Sequence, residues 1–322
     1  DELNNVMGDN EEKITLEEEK LSYIFEILFR ISLADNKLDE SETELISNSI
    51  HKLRDIYDFQ GEIKRPTSLP FLDKLGDIYS DEEKQSIITL LISLIYADNT
   101  VTYSELSLAI AFVLCFHFQI DKAEELISVI CENEKLDENT FYLYITQIFS
   151  EMKSEMPEFN DKDILLIENI LKLNEDEVSS EFKQLSDEIK TNVFLATIFY
   201  DEKRELNRNE ADEINDIAWH KMDSGDYESA LIDAKKSIDI LSMSSNNDTI
   251  ALIYFHLKNY VDAKKFADIS IELDTSRSDH YVTRAKILLK LNQVDLAKTD
   301  LIKAIQLNEE NLEASTLLES VK

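Results

Sequence analysis

Two short stretches place carboxylates where they could do chemistry. One is Leu33-Ala34-Asp35-Asn36-Lys37-Leu38-Asp39-Glu40-Ser41-Glu42. The other is Tyr96-Ala97-Asp98-Asn99-Thr100-Val101-Thr102-Tyr103-Ser104-Glu105, with Asp98 63 residues after Asp35. Carboxylate oxygens suit hard divalent ions, and they also accept from the free N–H groups at a helix start. The second job is legible from the order of residues. Asp-Asn stops the preceding helix, because Asn tolerates the left-handed backbone of a helix C-terminus. Leu38 or Val101 plugs the corner. Asp39 or Thr102 caps the next helix, and Glu42 or Glu105, three residues on, completes a capping box. An EF-hand loop is excluded: Lys37 stands at the third ligand position, Glu40 at the obligatory Gly, and Ile46 at the twelfth-position Glu.

Other chemistry finds no constellation. The chain has 4 glycines, too scattered for a phosphate-cradling loop. The histidines, His51, His117, His220, His256 and His280, form no metal-binding pair and flank no nucleophile. His117 reads as a core histidine within an apolar helix. Cys115 and Cys131 give neither a disulfide framework nor a metal quartet, and Cys115 reads as a small core residue. We therefore expect a non-enzyme with no catalytic residues and no organic cofactor.

The elements that carry these residues are helices. With 4 Gly and 3 Pro in 322 residues, the chain lacks the turn residues that hairpins and sandwiches consume. Thr15-Leu16-Glu17-Glu18 reads as a helix start, followed by a stripe of Leu21, Ile24, Leu28 and Ile31. Gly61–Gly76, with Pro66 and Pro70, reads as a long loop, and helix resumes at Asp81, capped by Ser80 or Asp81. Pro157 marks a break before a helix from Asn160 through Leu173, and Ser186–Tyr200 is another apolar-faced helix. The apolar runs Ile87–Ala97 and Leu106–Phe118 are too short to span a bilayer. Residues 1–14 are polar, acidic and expected to be mobile. The first residue is not Met, which leaves a processed leader open, and Met7-Gly8-Asp9 is a candidate natural start. The default location is cytoplasmic.

Charge separates the chain into two parts. The net charge is −34; residues 211–322 hold 13 basic and 20 acidic side chains, leaving 20 and 47 for residues 1–210. Such a surface repels nucleic acid and anionic lipid. It suits a cationic partner, divalent ions or solubility alone.

The C-terminal third repeats. Tyr227, Ala230, Ala234, Ser237 and Ile240 are followed 33 residues later by Tyr260, Ala263, Ala267, Ser270 and Leu273. A further 34 residues on come Val294, Ala297, Leu301, Ala304 and Leu307, while Ala218, Ala251 and Ala285 keep the same step. Small residues fixed in every copy, with larger apolar residues three and four away, are what closely stacked helix pairs need. This period, and the turn Ser224-Gly225-Asp226-Tyr227-Glu228-Ser229-Ala230, resemble the tetratricopeptide (TPR) repeat. The usual Pro at the repeat end is replaced by Ser242, Thr275 and Glu309. The resemblance implies three units over 211–308 and a capping helix over 309–322. Their first helices would line a groove holding a peptide or partner helix, at Asn215, Trp219, Met222, Asp248, Leu252, Phe255, Val282, Lys286 and Leu289. Trp219 and Phe255 are either groove anchors or packing against the next repeat. The clamp that takes carboxylate tails in some relatives needs Lys and Asn where Asn215, Trp219, Asp248 and Leu252 stand, so an acidic tail is not the expected ligand, and a basic one is open.

The twin acidic stretches, over about residues 15–120, resemble the tellurite-resistance TerB family, an all-helical bundle whose halves each carry Ala-Asp-Gly-x-(apolar)-x-x-x-Glu. Asn36 and Asn99 stand where that family has Gly. The resemblance implies a divalent-cation site (Ca²⁺ or Mg²⁺) at Asp35, Glu42, Asp98 and Glu105; the other reading leaves all four as caps. Weaker echoes at Cys131–Asp137 and Tyr200–Glu210 are either a degenerate second bundle within 121–210 or ordinary corners. The expected architecture is all-α: a TerB-like helical bundle followed by a TPR-type α-solenoid over 211–322. The expected function is a protein-binding scaffold, with the acidic module docking or linked to stress response. The alternative is a cation-responsive regulatory module of a resistance or defence complex.

Overall fold

The computed structural model describes residues 15–63, 72–154 and 161–321. The expectations for residues 1–14, for the prolines 66, 70 and 157, and for Asn160 fall outside them. Sixteen α-helices and no strand occur among the described residues. The first nine are α1 (Leu16–Ser32), α2 (Glu40–Ile56), α3 (Leu72–Ile78), α4 (Asp81–Ile95), α5 (Tyr103–Cys115), α6 (Ile120–Glu134), α7 (Glu138–Met152), α8 (Asp161–Ile170) and α9 (Val178–Lys183). The rest are α10 (Asp187–Asp223), α11 (Tyr227–Ile240), α12 (Ser244–His256), α13 (Tyr260–Leu273), α14 (Ser278–Lys290), α15 (Val294–Leu307) and α16 (Leu312–Ser320).

Local chemistry sets the helix starts. Thr15 accepts from the Glu18 N–H, and Ser80, Asp39 and Thr102 each form a full capping box with Glu83, Glu42 and Glu105. The α1–α9 region and the first half of α10 share one apolar core, running from Tyr23 to Ile198 and centred on Phe112, Phe141, Tyr142, Phe149, Phe182 and Phe194. No break in packing falls at residue 120. Helix α5 is buried along Glu105–Leu114, so it forms the axis of this bundle. It ends at Cys115. His117 lies beyond it, exposed and with a φ of 64°, and is not the core histidine that the sequence suggests. The His117 ring packs over Gly76 of α3, so a Cβ there would make that exposed ring swing aside, and helix resumes before Asp81.

Helix α10 departs furthest from expectation. It runs unbroken for 37 residues, about 55 Å at 1.5 Å per residue, through the expected boundary at 210 and through the suspected corner at Tyr200–Glu210. Nothing in that stretch breaks a helix. Its charges pair one turn apart, Arg204 with Asp201 (2.7 Å) and Arg208 with Glu205 (3.0 Å). The N-terminal half buries Val193, Phe194, Ala196 and Ile198 in the bundle, and the C-terminal half buries Ala211, Ala218 and Met222 in the solenoid.

The solenoid stacks α10/α11, α12/α13 and α14/α15, closed by α16. Ala218, Ala230, Ala234, Ala251, Ala263, Ala267, Ala285, Ala297 and Ala304 are wholly buried, as close helix stacking requires. Gly225, Lys258 and Asn292, in matching turns, all take positive φ (86°, 60° and 59°) just before the second helix of each pair. Buried serines tie the two helices of a unit: Ser237 Oγ donates to the Ala211 carbonyl (2.7 Å), and Ser270 Oγ to that of Ser244 (2.9 Å).

The solenoid also touches the bundle a second time. Leu38 and Asp274 form a parallel β-bridge: Leu38 N–H donates to the Leu273 carbonyl (2.8 Å) and Thr275 N–H to that of Leu38 (3.1 Å). Thr275 Oγ1 accepts from the Glu40 N–H and donates to Asp39 Oδ2 (both 3.1 Å), and Lys303 pairs with Glu40 (2.5 Å).

Candidate functional site

Two places gather functional side chains: the acidic corners and the solenoid groove. At the corners, Asn36 and Asn99 both have φ 64°, the left-handed geometry that suits Asn better than most residues. Asp35 Oδ1 accepts from Lys37 N–H and Asp98 Oδ1 from Thr100 N–H, each at 2.8 Å. Glu42 Oε2 accepts from Asp39 N–H (2.9 Å) and Glu105 Oε2 from Thr102 N–H (2.9 Å). The two corners thus share these bonds, and differ at the cap, where Asp39 accepts from Ser41 N–H (2.7 Å) while Thr102 Oγ1 donates to Glu105 Oε2 (2.6 Å).

They also meet electrostatically. Glu42 is raised to about 9, chiefly by burial, with the charges of Glu105, Asp98 and Asp35 adding to the rise and the Asp39 N–H opposing it. Burial raises Glu105 to about 7, with Asp35 and Asp98 adding to the rise. Asp35 is raised by burial and, weakly, by Asp98. All four side chains therefore lie within electrostatic reach, and Glu42 Oε1 is buried with no hydrogen-bond partner. Even so, among the described residues no three His, Cys, Asp or Glu side chains stand close enough to hold one metal ion as placed. Behind the corner, Arg204 donates to the carbonyls of Leu33 (3.0 Å) and Ala34, ending α1. Arg30 is buried among Glu26 (2.7 Å), Asp201 (2.9 Å) and Glu202 (2.8 Å).

The groove is a cleft of about 420 Å³ across the first helices of all three units. Of the nine residues expected there, Asn215 and Trp219 (α10), Asp248 and Leu252 (α12), and Val282 and Lys286 (α14) line it. Met222, Phe255 and Leu289 do not: each packs into an apolar cluster between repeats, Phe255 with its ring 5.7 Å from that of Tyr260. Trp219 stays 45% exposed on the wall.

Sequence reasoning missed Asp216, Ser245, Thr249, Arg277, Asp279, His280, Thr283 and Glu313. A signal existed for some of them: positions 216, 249 and 283 keep the same 33- and 34-residue step, one turn from the positions chosen. Asp248 Oδ2 accepts from Thr283 Oγ1 (3.3 Å), and burial lifts this carboxyl to about 7, with Asp279 adding to the rise. Lys286 pairs with Glu313 (2.5 Å). Burial lowers His280, favouring its uncharged imidazole, while Asp274 opposes the shift.

Residues 280–311 match the tetratricopeptide repeat family model. No curated protein matches. Among solved structures, the chain is similar to the first TPR of Spaghetti (RPAP3) bound to the HSP90 peptide SRMEEVD. That match has 22% identity and a TM-score of 0.34, covering 35% of this chain and 90% of that chain. It is also similar to the first TPR domain of human RPAP3 (22% identity, TM-score 0.35, 35% and 91% coverage). The second human RPAP3 domain, in complex with the HSP70 peptide SGPTIEEVD, matches at 23% identity and TM-score 0.34 over 36% and 97%. No described helix is long and apolar enough to cross a membrane.

Proposed function

We propose that this chain is a non-enzymatic scaffold that recruits a protein segment into its solenoid groove. The observation that carries this reading is the cleft itself: three stacked units present the same face, with an exposed Trp beside polar groups. Stacked repeats build such concave surfaces for extended peptides or partner helices. The acidic bundle, through its TerB resemblance, serves as a second docking module of a cytoplasmic stress-linked assembly. The test is peptide selection on the full chain from a displayed random library. Selected peptides are expected to lose binding to Leu252→Glu and keep it to Ile232→Glu, since Ile232 is 69% exposed on the second helix of the first unit. Loss in both variants or in neither defeats the groove reading.

The unpartnered buried acceptor Glu42 Oε1 favours a second reading, a divalent cation held between the corners by Asp35, Glu42, Asp98 and Glu105. In this reading the side chains swing together on binding, and the ion relieves the mutual repulsion. Millimolar Ca²⁺ or Mg²⁺ then raises the melting temperature by several degrees in the parent and not in Asp35→Asn/Asp98→Asn. An unchanged parent leaves the carboxylates as caps.

A further inference from the structure

The floor of the groove holds three buried atoms without a hydrogen-bond partner: Asn215 Oδ1, Asp248 Oδ1 and His280 Nδ1. A native interior leaves few such atoms, and each asks for an explanation. Two are acceptors by nature. The third accepts in the neutral imidazole that burial favours. The floor is thus short of donors. Its surroundings lean negative as well: Asp216, Asp279 and Glu313 line the cleft against Lys286, which pairs with Glu313, and Arg277, exposed on the rim. One wall is the half-exposed indole of Trp219.

Resting on the peptide-groove reading above, we propose that this cleft takes an arginine side chain of the bound segment, its guanidinium lying on Trp219 and donating to Asp248 and Asn215. A guanidinium carries five donors and no acceptor, is planar, and stacks on indole faces, so it supplies what the floor lacks and matches what the wall offers. Lysine brings one compact point charge and cannot stack in the same way. A carboxylate meets three unpartnered acceptors on the floor and the acidic Asp216, Asp248, Asp279 and Glu313 against only Arg277 and Lys286, so the cleft disfavours acidic segments.

The chain has a single Trp, so Trp219 emission reports on this cleft alone. The full chain is titrated with Ac-Ala-Ala-Arg-Ala-Ala-NH2 and with its citrulline and glutamate counterparts. The arginine peptide is expected to shift the emission saturably, citrulline to bind about tenfold weaker or worse, and glutamate to give no saturable change. Asp248→Asn, with an unchanged melting temperature, is expected to abolish the preference for arginine over citrulline, the two side chains having nearly the same shape. Equal binding of arginine and citrulline peptides by the parent, or a preference surviving in Asp248→Asn, overturns the arginine site while leaving a peptide groove in place. The parent comparison stands whether or not the variant folds. No saturable change with any of the three also overturns the arginine site, and the selection experiment with Leu252→Glu then decides separately whether the groove binds peptides at all.

Discussion

At the scale of residues, a carboxyl that keeps its proton near neutrality does so only while the chain is folded. Glu42 sits at about 9 in the fold against an ordinary 4.5, and Glu105 at about 7. With folded values raised, their contribution to stability is complete below about 4.5 and drains away as pH climbs through 7 and 9. In chelator, the melting temperature is therefore expected to fall between pH 5 and pH 9 more steeply than in Glu42→Gln. That variant keeps the acceptor for Asp39 N–H and has no charge to bury. Parallel profiles for parent and variant, in calorimetric scans, refute this account. The capping boxes and the left-handed Asn36 and Asn99 are legible in the sequence because each depends on residues within one turn. The missing partner of Glu42 Oε1 is not, since it follows from how chain segments some 63 residues apart pack together. The same division applies in the groove. The repeat step finds Asn215, Trp219 and Asp248, whereas which of their atoms lack partners emerges only from side-chain packing.

At the scale of elements, the alanine positions of the solenoid follow from period alone, and the structure buries them all. Ala263→Asp puts a carboxylate into a closed helix contact, at a cost of several kcal/mol, comparable to the stability of a whole domain. Loss of the cooperative melt of the solenoid is the expected result; a melting temperature within a degree of the parent rules it out. Arg204→Ala is expected to destabilise by roughly 3–5 kcal/mol in denaturant titrations, because Asp201 loses one of its two arginines and the Leu33 and Ala34 carbonyls just past α1 lose their donor. Helix α10 was the element that sequence patterning divided in two. Periodicity reads which face is apolar, and along α10 that face changes partner halfway, so the pattern weakens at Asp201–Glu210 while the backbone continues. Pairs one turn apart, such as Arg204 with Asp201, are the local sign that a helix persists through a polar stretch.

At the scale of the molecule, bundle and solenoid are joined twice, covalently through α10 and non-covalently where Leu38–Glu40 meets Leu273–Thr275 and Lys303. Thr275→Ala with Lys303→Ala removes the side-chain half of the second joint, leaving the two backbone hydrogen bonds in place. Amide exchange at Leu38 and Thr275 is then expected to speed up, with protection in the cores of α5 and α13 unchanged; equal exchange in parent and variant would show that the backbone bridge suffices. One joint is a hinge, about which two bodies swing freely. Two joints make a frame, and a frame cannot pivot about one corner without straining the other. The strut α10 carries Arg204 behind the acidic corner and Trp219 on the groove wall, while the brace ends on the loop leading into α14, which carries Thr283. A change in the spacing of the corner is therefore expected to alter the width of the cleft, and a segment wedged into the cleft to act back on the corner by the same linkage.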